Sequence, residues 1–143
     1  MKYLLLVHHD EEAFLAFAEL QRQSMLEESI QLTHQLHAKG QYVHASPLHP
    51  AATAVLVRVR EGKELVTDGP FIETKEQLAG YFLIEARDCN EAVRIATWVP
   101  GARIGTVEVR PLIEIDGLPH TGEGQVPRLR NDSDSWMDGG TAH

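Results

Sequence analysis

One cysteine, Cys89, stands in 143 residues. No intrachain disulfide and no CxxC metal or redox pair can form, which fits a reducing cytoplasm. Basic side chains are also few, 13 Lys and Arg against 21 Asp and Glu, and the net charge is -8. Nucleic acid requires clustered cations to neutralise its phosphates, so that class of partner is excluded, and acidity of this size serves solubility. Long apolar runs are missing too. Met1 to Val7, followed by His8-His9-Asp10, is too short for a membrane span or a signal-peptide core and reads as a strand. Nucleophile elbow, phosphate loop and dinucleotide glycine pattern are all absent, which disfavours the chemistries that depend on them.

What is present describes one soluble domain: 43% apolar and 24% charged residues, at a length that buries a real core. Tyr3, Leu5, Val7 and Leu4, Leu6 are apolar on both alternating sets, as in a strand covered on both faces. From Asp10, an expected N-cap, to Lys39 there is neither Gly nor Pro, and the helical spacing of Phe14, Phe17, Leu20 and Leu26, Ile30, Thr33, Leu36 slips near Arg22 to Ser24. Two helical pieces are therefore expected, closed by Gly40. Gln41 to Ser46 reads as a strand ended by Pro47. Ala54 to Arg60, Glu61-Gly62 and Lys63 to Thr67 read as a β-hairpin. Gly80 to Ala86 is a further doubly apolar strand, Asp88 caps a helix stopped by Pro100, and Thr106 to Arg110 is the closing strand. This order predicts an α+β class, a ferredoxin-like antiparallel sheet with two main helices on one face and an added β-hairpin, over residues 1–116. Residues 117–143, rich in Gly, Pro, Asp and Ser, read as a polar tail. Two helices cover one sheet face only, so the apolar second face predicts a homodimer.

Between hairpin and strand lies Thr67-Asp68-Gly69-Pro70-Phe71-Ile72-Glu73-Thr74-Lys75-Glu76-Gln77. Pro70 fixes its own φ and pushes Gly69 toward extended geometry, so Asp68 is held at a strand exit. Its carboxylate either accepts bonds within its own loop or projects into a cleft. Thr74-x-x-Gln77 fits a capping box, predicting a helical turn over Glu73 to Gln77.

That stretch, with Val66 before it, Leu78 and Gly80-Tyr81 after it, and the closing Gly105-Thr106-Val107-Glu108-Val109-Arg110-Pro111, resembles the DGPF-domain branch of the YCII-related proteins over Met1 to about Asp116. The resemblance implies a dimeric α+β barrel with the open sheet faces packed together, and a pocket with a suspected enzymatic role. In the wider group a His-Asp pair is the suspected active site. The Asp matches Asp68, and the helix histidine's position, counted back from Gly40, falls near Ser29, where this chain departs from the pattern.

An Asp-His pair suits proton transfer because imidazole titrates near neutrality. The expected catalytic residues are Asp68 with His44 or His8, each histidine otherwise a satisfied polar group at a strand end. Gly69, Pro70, Phe71, Lys75, Tyr81 and Ser29 are the expected substrate-binding set, although packing accounts equally for Tyr81. Glu108 and Arg110 share a strand face and pair with each other. Metal binding by His8-His9-Asp10, or by His44 with His49, matches no standard ligand spacing, so neither metal nor cofactor is expected. The functional expectation is a small cofactor-independent lyase, isomerase or hydrolase. A ligand-binding or regulatory module, or a purely structural dimer, is the alternative, and the expected partners are a second copy and a small molecule.

Overall fold

The structure, a computed structural model, describes residues 1–119. Met1–Leu112 forms one compact unit, and most of the expected tail, from His120 on, lies outside the described residues. Four antiparallel strands make the main sheet in the order β2-β5-β1-β6: β1 (Lys2–His9), β2 (Tyr42–Pro47), β5 (Gln77–Glu85) and β6 (Thr106–Pro111). With α2 (Glu19–Ala38) between β1 and β2, and α3 (Cys89–Thr97) between β5 and β6, this is the ferredoxin-like arrangement.

The core follows from alternation. Tyr3, Leu5 and Val7 of β1 and Phe82 and Ile84 of β5 are buried on the helix side, against Leu32 and Leu36 of α2 and Ala92, Ile95, Ala96 and Val99 of the α3 region. Each fully buried aliphatic side chain, such as Leu5 or Ile84, contributes ~1.5–3 kcal/mol relative to exposure. The opposite face carries Leu4, Leu6, Tyr81 and Leu83, all half-buried in the single chain.

Local details refine the sequence reading. The helical break falls at Ala16–Ala18, between α1 (Glu11–Leu15) and α2, earlier than the slip near Arg22. Arg22 itself explains the shift: its Nη1 donates to the Leu15 and Phe17 carbonyls (2.9 and 2.7 Å), satisfying the end of α1 from the first turn of α2. Asp10 caps α1 through Ala13 N–H, and Asp88 caps α3 through Glu91 N–H at 2.9 Å. The expected helical turn over Glu73 to Gln77 does not form. Gln77 Nε2 donates to the Thr74 carbonyl instead of closing a capping box, and Gln77 opens β5 opposite His9.

The hairpin β3 (Val55–Arg60) and β4 (Lys63–Asp68) is a separate two-stranded ribbon rather than an extension of the sheet. Its turn places Glu61 and Gly62 at φ 52° and 75°, the mirror-type geometry that matches strand twist. Val55, Val57, Val59 and Val66 share one face of the ribbon, and all four are exposed. After β6, residues 113–119 contain no helix or strand.

Candidate functional site

Along α2 the residues turned toward the sheet are Arg22, Met25, Ser29, Leu32, Thr33 and Leu36, yet only Leu32 and Leu36 are buried. At Ser29 a small polar side chain stands where the stripe would otherwise carry a large apolar one. A cavity of ≈ 300 Å³ opens there, walled by Met25, Leu26 and Ile30 of α2, floored by Val7, Gly80 and Phe82, and closed at one end by Tyr42 and Ala45. Val99, Pro100, Gly101 and Ile104 close the other end. Gly101 is required there: a Cβ would stand 2.4 Å from Val7 Cγ1, so any side chain would push α4 (Gly101–Ile104) off β1.

His9 reaches this cavity because it continues the inward alternation of Tyr3, Leu5 and Val7 along β1, while a bulge at Ala79 of β5 resets the pairing to His8↔Leu78 and His9↔Gln77. Its ring lies flat on Phe14, centroids 4.6 Å apart at 12°, and Phe14 meets Phe17 edge-on. Burial pushes the half-buried imidazole below its ordinary pKa, while Glu11, Asp10 and Glu76 pull the other way. Gln77 ties the loop to this corner: its Oε1 accepts from Glu11 N–H at 3.0 Å. The Glu11 carboxylate in turn accepts from Ala51 N–H at 3.0 and 3.1 Å.

Of the residues expected from sequence, Ser29 lines the cavity, and Tyr81 belongs to the Gly80–Phe82 stretch of β5 that borders it, with its ring on the open sheet face. The Tyr81 hydroxyl lies 2.7 Å from Nδ1 of exposed His44, with the two rings stacked at 5.7 Å. His8 points to the open sheet face, its Nε2 3.2 Å from Glu108 Oε1, and Arg110 donates to the other Glu108 oxygen at 3.3 Å. His8 and His44 do not meet, because β5 lies between β1 and β2.

Asp68 ends β4 opposite Val55 and is exposed. Gly69 N–H donates to the Ala54 carbonyl at 2.7 Å, and a Cβ at Gly69 would stand 2.7 Å from that of Ala54, so only glycine allows this closure. The Gly69–Pro70 peptide is cis. Phe71 is exposed beneath the Arg58 guanidinium, 5.3 Å from its ring centroid, and Lys75 is exposed. The stretch therefore divides: Asp68, Gly69, Pro70, Phe71 and Lys75 do not line the cavity, whereas Glu76 and Gln77 stand at its His9 corner.

Sequence reasoning missed His9, Phe14 and Arg22 as cavity residues. For His9 the signal was present, since it continues the buried set Tyr3, Leu5, Val7. Among the described residues, no group of three or more His, Cys, Asp or Glu side chains is placed to hold a metal ion.

Fold and cavity define a ferredoxin-like α+β domain with an apolar pocket under its first long helix. Residues 1–116 match the YCII-related domain, and the chain belongs to that family. An uncharacterized protein of Rhizobium meliloti (strain 1021) is 32% identical over 114 residues, covering 78% of this chain and 92% of that protein. Among solved structures, 5-chloro-2-hydroxyhydroquinone dehydrochlorinase (TftG) from Burkholderia phenoliruptrix AC1100, in complex with 2,5-dihydroxybenzoquinone, is similar at 12% identity and a TM-score of 0.49, over 79% of this chain and 94% of that one. No helix among the described residues is long and apolar enough to cross a membrane.

Proposed function

We propose that this protein is a cytoplasmic homodimeric enzyme of the proton-transfer type, acting without a cofactor on a small molecule held in the α2 cavity, with His9 as general base. The observation that carries this reading is an imidazole in the wall of a largely apolar pocket, with its pKa lowered so that it is neutral and able to accept a proton near pH 7. A volume of ≈ 300 Å³ is at the lower end of ligand sites. The half-buried leucines of the open sheet face support the dimer. The single cysteine supports the cytoplasm.

A second reading rests on the open face. There the His44–Tyr81 and His8–Glu108 pairs share one side of the sheet, and a second copy packed on it would enclose both. In that reading Asp68 serves as acid or base only where the partner chain's hairpin delivers it. Two substitutions separate the readings. His9→Gln abolishes turnover with ligand binding retained if the α2 cavity is catalytic; Asp68→Asn does so if the enclosed face is. Retained turnover in His9→Gln refutes the first reading. The substrate is sought by mass spectrometry of what co-purifies, and loss of that compound from the Ser29→Leu variant locates it under α2.

A further inference from the structure

Arg22 is the one side chain lining the cavity that carries a permanent positive charge. It is half-buried, and among the described residues no carboxylate lies within ion-pair distance of it. Its Nη1 is fixed by the Leu15 and Phe17 carbonyls, which holds the guanidinium in one place and leaves Nη2 and Nε as donors. A partly desolvated cation without an anion is unfavourable, and a guanidinium fixed on one edge is prepared for a bidentate anion on the other.

The rest of the wall selects what carries that anion. Met25, Leu26, Ile30 and Phe82 offer apolar contact, and the His9–Phe14 stack offers a flat aromatic one. The two hydroxyls on the inward face of α2 donate to their own helix, Ser29 to Met25 O at 3.0 Å and Thr33 to Ile30 O at 2.6 Å, so neither supplies a donor to compete with Arg22 for an acidic group. The acids near the site, Asp10, Glu11 and Glu76, act on His9 and repel an anion from it, which leaves the Arg22 guanidinium as the lining group able to pair with one.

We infer that the cavity takes a small apolar monocarboxylate, with the carboxylate on Arg22 and the ring or chain against the α2 wall. The inference deepens the α2-cavity reading and rests on it.

The test is charge-selective binding to the full chain, with benzoate and benzamide as probes, followed by calorimetry and by the His9 imidazole NMR signals. Benzoate is expected to bind ~10–100-fold tighter than benzamide, as a charge-assisted pair gives. In Arg22→Gln, which keeps a polar amide and removes the charge, the preference disappears while benzamide still binds. Arg22→Lys, with charge but no fork, retains part of it. Equal affinity for the two probes in the wild type, or a preference that survives Arg22→Gln, overturns the assignment while leaving the cavity reading standing. If neither probe shifts the His9 signals, the inference and the cavity reading fall together.

Discussion

Ser29→Leu tests whether the cavity under α2 is empty space that the fold tolerates. Ser29 faces the sheet between Met25 and Leu32, half-buried, and its hydroxyl only returns to the Met25 carbonyl. Leucine removes that bond, which is near neutral because the carbonyl also belongs to the helix ladder. Fully burying a leucine contributes ~1.5–3 kcal/mol, and a half-buried site receives about half of that, ~1 kcal/mol. Replacing Ser by Leu in a helix adds roughly 0.5 kcal/mol. The sum, about 1–1.5 kcal/mol, corresponds to a Tm rise of about 4–6 °C for a domain of this size. Differential scanning calorimetry reads it directly, and any bound ligand should be lost from the variant. A Tm lowered by a similar amount would refute the reasoning, because it would mean that the space is already filled and leucine overpacks it.

The remaining predictions concern pH, a cap and a close backbone approach. Burial holds His9 below its ordinary value, so the unfolded chain takes up a proton that the folded chain resists. Stability should therefore fall as pH drops from about 7 through the unfolded value near ~6.5, and His9→Gln should flatten that slope in urea midpoints; equal slopes refute it. Asp88→Ala removes the acceptor for Glu91 N–H and should destabilise by ~0.5–2 kcal/mol, checked by chemical denaturation. Gly105→Ala would bring a Cβ to 2.1 Å from the His8 carbonyl oxygen, a contact only backbone movement relieves, and a loss of ~3 kcal/mol is expected in the same assay.

Much of the fold was legible because β1 and β5 are apolar on both alternating sets and because Asp10, Gly40 and Asp88 mark helix ends in the usual way. The misplaced helix break shows the limit. The slip in spacing at Arg22 was real, but Arg22 acts backwards on α1 through its guanidinium, which periodicity does not register. Gln77 shows the same limit: its pattern with Thr74 is that of a cap, and a partner 66 positions away in sequence redirected it. For the site, the eye was drawn to Asp68 by its turn chemistry. The cavity instead arises from missing bulk at Ser29, which is no motif, and His9 enters it by the plain alternation of β1.

Gln77 fixes two things with one amide. It starts the register of β5, and it fastens Thr74 to the head of α1. Residues on the hairpin side of that fastening can lengthen, shorten or change sequence, and the slack is taken up before Thr74. The pocket mouth is thereby insulated from changes in the hairpin.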